Sequence, residues 1–261
     1  MGRYELTYPK DATNTVKRMS ELGSYSLQTI HRIVNASQIL HVSFVTPSEP
    51  FPVILPMIGQ MGSFDRPSAS LGDPLDVYLH GYVSSRLMNL GRAPSNDGGD
   101  QGIPLCVASS TCDGLILSMS AFSHSYTYRS AVLFGHATLV TDENEKLYAM
   151  ELITNSVVPD RWRHTRLPPT KAELQSTGIL KMKVSSGSAK VNEGQAHDNK
   201  HDMDNEDLRT STWTGVLPIY QTMGSPIAGP YNSVDVPGYI AEFVEDFNQD
   251  NKQQALDSTK A

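Results

Sequence analysis

The sequence predicts an α+β fold built on a mostly antiparallel β-barrel with α-helical decorations. Short runs rich in β-branched and aromatic residues recur along the chain, and Gly, Pro and Asp-Gly turn signals separate them. The few helical patterns among these runs show no regular strand–helix alternation, which a parallel sheet would require. At 261 residues and 28.6 kDa the chain can bury a substantial core, most simply as one domain.

The elements follow in order. Residues 1–23 are polar, with one helical turn at most, and read as a flexible or draped arm. Ser26 precedes Leu27, Ile30, Ile33 and Val34, which are spaced as one apolar helix face behind a serine N-cap. Residues 39–45 are β-rich and lead to Pro47; residues 52–57 and 75–79 give two further strands, and a helix is expected over 84–90. Residues 91–102, with Pro94, Asp97, Gly98, Gly99 and Asp100, have loop composition. Residues 105–109 and 115–119 read as strands joined by a hairpin at Asp113-Gly114. Residues 130–140 form a long strand. Asp142 starts a helix with Leu147, Met150, Leu152 and Ile153 on its apolar side, stopped by Pro159. Thr170 caps a short helix, with Glu173 in capping-box position. Residues 179–184 alternate as a strand, 195–207 read as a charged loop, 213–219 as a last strand, and Ile240, Phe243, Val244 and Phe247 mark a tail helix. The expected organisation is a domain over 24–220, an N-terminal arm over 1–23 and a C-terminal extension with a short helix over 221–261.

Net charge is −7 with a pI near 5.6. A nucleic acid or an anionic membrane needs a basic face, and no Lys/Arg cluster interleaved with aromatics is present. No run of about 18 apolar residues suggests a membrane span, and the Met-Gly-Arg-Tyr-Glu-Leu start has neither an apolar signal core nor the myristoylation pattern. Cys106 and Cys112 make no disulfide framework, although the expected hairpin would make them neighbours. A cytoplasmic protein is the expectation.

The segment Tyr78-Leu-His-Gly-Tyr-Val-Ser-Ser-Arg86 carries the clearest chemistry. It places Ser84, Ser85 and Arg86 where a strand runs into a helix. Unpaired N–H groups at a helix start, two hydroxyls and a planar guanidinium suit the oxygens of a phosphate. A small phosphorylated ligand is therefore expected. Other patterns are weaker. Ser123-His-Ser125 lacks the Gly-x-Ser-x-Gly elbow of a hydrolase. His197, His201, Asp198, Asp202 and Asp204 lack apolar anchors that would hold a metal shell, so no metal is expected. Asn35-Ala-Ser37 matches a glycosylation acceptor but falls on a helix.

Five pieces then occur in a fixed order: Leu79-His-Gly-Tyr-Val-Ser-Ser-Arg-Leu, Tyr128-Arg-Ser-Ala-Val-Leu-Phe-Gly-His-Ala, Val158-Pro-Asp-Arg-Trp, Ser188-Ala-Lys-Val and Trp213-Thr-Gly-Val-Leu-Pro. In this the chain resembles the pyridoxamine 5′-phosphate oxidase-like FMN-binding split barrels, closest to the branch of nitroimidazole-resistance and flavin-nucleotide-binding proteins. The resemblance spans roughly 24–219. It implies FMN as cofactor, with Ser84, Ser85 and Arg86 at its phosphate, and Arg129 and Ser130 near the polar edge of the flavin, where the oxidases carry Arg-Gln. It implies that Trp213 reaches the flavin from a partner subunit, so that a homodimer holds the cofactor at its interface. The second strand lacks the family's basic residues, so Ile54 and Pro56 meet the flavin through a backbone shaped by Pro52 and Pro56, and Lys190 is the candidate for the missing phosphate charge. His80 stands where the nitroimidazole-resistance proteins carry a histidine near the flavin ring, and is the catalytic candidate.

The resemblance does not extend to pyridoxamine phosphate oxidation itself. Residues 237–261 contain no arginine or histidine, so the Arg-x-His segment of the true oxidases is missing. The expected function is an FMN oxidoreductase passing electrons from a reduced nicotinamide to a small electron-poor acceptor. The alternatives are a non-catalytic flavin-binding or flavin-sequestering protein, or a split barrel that takes haem or a deazaflavin, with His80 or His124 as axial candidates for haem.

Overall fold

Strand alternation, punctuated by a few well-capped helices, organises the computed structural model, which describes residues 5–46, 49–92 and 102–260. In chain order the strands are β1 (Gly23–Ser24), β2 (Leu40–Phe44), β3 (Val53–Met57), β4 (Gly59–Gly62), β5 (Asp76–Tyr82), β6 (Ile103–Leu117), β7 (Ser125–Leu139), β8 (Thr177–Asn192) and β9 (Gly215–Pro218). The helices are α1 (Leu27–Asn35), α2 (Arg86–Leu90), α3 (Glu143–Val157), α4 (Lys171–Ser176), α5 (Lys200–Met203), α6 (Glu206–Ser211) and α7 (Gly238–Asp257). Residues 93–101, which hold most of the expected 91–102 loop, lie outside the described residues.

The chain forms two compact units, residues 1–110 with 130–190, and residues 111–129 with 191–261. The sheet is antiparallel, in the order β3-β2-β6-β7-β8-β5-β4, with β1 added on β8 and β9 on β6. Its two end strands are consecutive in the chain. β3 pairs with β2, from Leu40↔Met57 to Phe44↔Val53, while β4 pairs with β5, from Gly59↔Leu79 to Gly62↔Asp76. Ile58 is the hinge between them, and its carbonyl accepts the His80 N–H at 3.0 Å. This is the antiparallel split barrel with helical decorations that the sequence predicts.

In the first unit, apolar positions of the strands alternate inward as period-2 patterning requires. Leu40, Val42 and Phe44 on β2 and Val77 and Leu79 on β5 are buried, as are Leu180 and Met182 on β8. The Ser26 hydroxyl accepts the Thr29 N–H, and α1 buries Leu27, Ile30, Ile33 and Val34. Asp142 caps α3 through the Glu145 N–H, and Thr170 and Glu173 complete the predicted capping box of α4. Ala149 and Ile153 of α3 pack with Tyr78, Val140 and Ile179. The Tyr78 hydroxyl donates to Glu145 Oε1 at 2.8 Å, and Lys181 Nζ meets the same carboxylate at 2.7 Å. That network ties β5, and with it the strand end that carries His80, to α3.

The N-terminal arm is draped and pinned. Tyr8 N–H donates to Tyr25 O at 2.9 Å, and the buried Asn14 donates its amide to Pro9 O at 2.7 Å and Gly187 O at 3.1 Å. The Tyr8 hydroxyl lies 2.6 Å from Nε2 of the fully buried His31, whose Nδ1 lies 2.8 Å from Leu71 O. With the hydroxyl donating to Nε2 and Nδ1–H donating to the carbonyl, every polar atom of this ring is satisfied only while it is neutral.

Two expectations are corrected. Asp113-Gly114 makes no hairpin: β6 runs unbroken from Ile103 to Leu117, and Gly114 pairs with Pro218 of β9. The glycine answers a close approach, because a Cβ there would meet Thr127 Oγ1 at 2.8 Å and Val216 Cγ1 at 2.9 Å. Asp113 is buried and holds Arg129 of the same unit in a bidentate pair, at 2.7 Å and 2.8 Å. Cys106 and Cys112, on one strand, are separated by roughly 20 Å at about 3.3 Å per residue, so they are not neighbours, and both are free thiols. The charged 195–207 segment is also not merely a loop: Asn205 caps α6 by accepting the Leu208 N–H, and α5 precedes it.

Burial lowers the His31 pKa from 6.5 to about 4. The unfolded chain therefore binds more protons than the native one between those values, and stability rises with pH across that window and is lost as pH falls through it. Between pH about 7 and about 4.5, His31 should account for a loss on the order of 2 kcal/mol in urea-unfolding free energy. His31→Gln should flatten that dependence; an unchanged slope in the variant would assign it to other groups.

Candidate functional site

The strand-to-helix turn after β5 gathers Ser84, Ser85 and Arg86, three of the expected ligand-binding residues of the first unit. Ser85 is the N-cap of α2, its Oγ accepting the Met88 N–H at 3.4 Å, and this leaves the hydroxyl proton free to donate. Arg92 braces the turn from below, with Nη2 on Val83 O at 2.9 Å and Nη1 on Asn89 Oδ1 at 2.8 Å. Ser84 is exposed at the apex, its carbonyl accepting Asn89 Nδ2 at 3.1 Å. α2 is short, so the anion-binding capacity of the turn rests on side chains rather than on a helix dipole.

Arg86 is exposed and unpaired among the described ion pairs, with its guanidinium carbon 5.9 Å from the centre of the Phe44 ring. A ring face under a guanidinium restrains it by cation–π attraction while leaving its N–H fork open. Phe44 pairs with Val53, so Arg86 stands next to β3, whose outward positions Ile54 and Pro56 are exposed. Thr46 continues the inward alternation of Val42 and Phe44, and its Oγ1 is the buried side-chain polar atom without a partner among the described residues.

His80 sits at the other side of the same strip. Its backbone is fixed by the bond to Ile58 and by pairing with Ile179, while the side chain is exposed and neither ring nitrogen has a partner among the described residues. Desolvation by the neighbouring strands lowers its pKa from the usual value. The imidazole is therefore neutral at pH 7, with one lone pair available and one N–H to donate.

The remaining predicted residues lie elsewhere. Ser130 donates to Lys190 O at 3.1 Å, and Lys190 Nζ donates to Arg18 O of the arm at 2.9 Å. This pair stands far from Arg86: β8 is beside Gly81 at Gly178, and from Gly178 to Lys190 is roughly 40 Å of extended strand at about 3.3 Å per residue. Arg129 is committed to Asp113, with its fork filled by the carboxylate. Trp213, in the second unit, is 64% exposed and its ring lies over Gly215, where φ is +155° and a Cβ would meet the ring at 2.8 Å. Phe44, Thr46 and Arg92 were not among the expected residues. Strand alternation marks Phe44 and Thr46 as inward, but nothing local shows which side chain will sit above them. No group of metal-ligating side chains suited to an ion occurs among the described residues, and no helix among them is long and apolar enough to cross a membrane.

A model of the pyridoxamine 5′-phosphate oxidase family matches residues 26–191. The flavocytochrome Anf3 of Azotobacter vinelandii is similar to the chain at 26% identity with a TM-score of 0.72, covering 89% of this chain and 97% of that one. The FAD and haem binding protein of Mycobacterium smegmatis shares the fold at 24% identity with a TM-score of 0.68, over 85% of this chain and 97% of that one. No curated protein matches the chain.

An imidazole NMR titration, assigned with His80→Asn, should place the His80 midpoint below the ordinary value of about 6.5. A midpoint above it would mean that a carboxylate faces the ring in solution, and that the ring is charged rather than neutral at its working pH.

Proposed function

The chain belongs to the pyridoxamine 5′-phosphate oxidase family, and from that membership we propose that it is a flavin-binding oxidoreductase, with FMN as the cofactor. The observation that carries this reading is the open Arg86 fork over Phe44, next in the chain to the Ser84 and Ser85 hydroxyls. Arg86 and the serines would hold the phosphate, and the exposed Ile54–Pro56 backbone would meet the ring system. A flavin so bound supplies the hydride and single-electron chemistry. His80, neutral and exposed on the same strip, would orient a small acceptor or hold a proton at its free ring nitrogen. A reduced nicotinamide is the proposed donor and a small electron-poor compound the acceptor. Lys190 and Ser130, distant from Arg86 within one chain, and Trp213 are consistent with a homodimer that places flavin between subunits. Arg129 would contribute by fixing its strand through Asp113 more than by touching the ligand. Pyridoxamine phosphate oxidation is not part of the proposal, because residues 237–261 hold no arginine or histidine.

A second reading adds haem, and the near full-length likeness to a flavocytochrome favours it. Of the two axial candidates, His80 fits better. His124 Nδ1 accepts the Ser118 N–H at 3.0 Å, which leaves the proton on Nε2 and no free lone pair on that ring. His80 has no such commitment.

The purified protein should carry a flavin absorption band that survives desalting after FMN is supplied, bleaches with reduced nicotinamide and recovers in air. A band inert to donors would make it a flavin-binding module, and no retained flavin would remove the reading. A Soret band lost in His80→Ala would establish the haem reading. Arg86→Ala should weaken FMN by roughly 10- to 100-fold, the value of a charge-assisted hydrogen bond of about 1.5–3 kcal/mol, and riboflavin far less. Equal losses for both ligands would take Arg86 away from the phosphate.

A further inference from the structure

Residues 224–237 follow β9 as an irregular segment with a turn at Pro230-Tyr231, where the Asn232 N–H donates to Gly229 O at 3.0 Å, and its apolar side chains face solvent. Ile227 is 95% exposed, Tyr231 98%, Val234 68% and Val236 50%. The segment is nonetheless built as a defined arm. At its base Asn248 of α7 clamps Met223, accepting its N–H at 2.6 Å and donating to its carbonyl at 3.0 Å, and Asn251 donates to Gln221 O at 3.2 Å. At its far end Pro237 is the N-cap of α7. Pro226, Pro230 and Pro237 each fix their own φ, which removes part of the backbone freedom that docking would otherwise cost. Solvated loops are ordinarily polar; this one presents a row of anchors of the kind found at the centres of protein interfaces.

A complementary surface exists on the same chain. β3 ends the strand order, so one backbone edge has no strand partner in the sheet, and the strip along it exposes Phe51 at 78%, Ile54 at 61% and Ile58 at 41%. The strip carries no charge and the arm only Asp235, which suits the charge-depleted core of an interface. Within a single chain both surfaces remain open. A two-fold pairing would satisfy both at once, because each arm then meets the strip of the other chain. Tyr231 alone has roughly 150–250 Å² to bury. The arm's apolar side chains, doubled by symmetry and by equal area on the receiving strips, reach the roughly 1,200–2,000 Å² of a stable interface.

We propose that residues 224–237 are an exchange arm that docks on the β3 strip of a second copy of this chain and closes the flavin site from outside. The proposal rests on the reading of a dimer with flavin between subunits, and names the segment that makes it. Trp213, just upstream of the arm and itself largely exposed, would be carried towards the same strip.

The test is sedimentation equilibrium of the full-length protein, comparing wild type with the double variant Ile227→Asp/Tyr231→Asp and, on the receiving side, Phe51→Asp. All three positions are exposed, so the fold should survive, with unchanged circular dichroism. Either variant should weaken self-association by on the order of 30-fold or more and release flavin on desalting. As an independent readout, p-benzoylphenylalanine in place of Tyr231, in mixed isotope-labelled and unlabelled chains, should cross-link between chains to peptides containing residues 51–58. A dimer of unchanged affinity in both variants, or cross-links confined to one chain, would overturn the arm while leaving the dimer reading intact. A wild-type monomer that retains flavin would overturn both.

Discussion

The hinge at Ile58 is the constraint on which the site depends. β3 and β4 are adjacent in sequence yet terminate opposite ends of the strand order, so the chain must turn from pairing with β2 to pairing with β5 within one residue. The Ile58 carbonyl is satisfied at that bend by the His80 N–H. A single backbone bond thus does two things. It gives the Ile58 carbonyl a donor at the bend, and it fixes the strand position from which the His80 ring projects. The turn that follows β5 brings the Arg86 guanidinium over Phe44, the partner of Val53 on β3.

The site groups are held by structure that does not itself touch the open face. Arg92 braces Val83 and Asn89, so the serine turn keeps its shape without a ligand. Phe44 restrains Arg86 while leaving its donors free. The Tyr78–Glu145–Lys181 network anchors β5 to α3 two residues from His80. A preorganised cationic fork is what an anionic ligand requires if its binding is not to be spent on ordering side chains. The His80 ring, by contrast, is left without a hydrogen-bonding neighbour, which suits a group that exchanges partners.

Local rules made much of this legible in the sequence. Ser26, Asp142 and Thr170 each cap the helix that their side chains and spacing indicate, because capping is a matter of a few adjacent residues. The turn at Ser84-Ser85-Arg86 was legible for the same reason. The failure at Asp113-Gly114 is equally instructive. The dipeptide has the composition of a tight turn, but the glycine is there to admit Val216 and Thr127, and the aspartate to hold Arg129. Both partners are distant in sequence, so no local pattern could separate the two explanations. Arg129 was expected near the flavin from the family resemblance, which carries no information about its ion-pair partner. Its buried carboxylate lies 16 residues away across a strand pair, outside any motif.

The separation of Lys190 from Arg86 bears most directly on how such a site could work. Lys190 is anchored at the far end of β8 with Ser130 and the N-terminal arm, and Arg86 at the near end against Phe44. Twelve positions of β8 separate Lys190 from Gly178, the partner of Gly81 at the end of β5. If both sets of residues serve one ligand, they do so from two chains. The same geometry explains why the face around β3 is open and apolar in a single chain, although burying such residues is worth about 25 cal/mol per Å². A half-site of this kind binds weakly alone, and two halves brought together enclose the ligand between them. Cofactor retention and self-association then become linked equilibria, each strengthening the other by the same free energy.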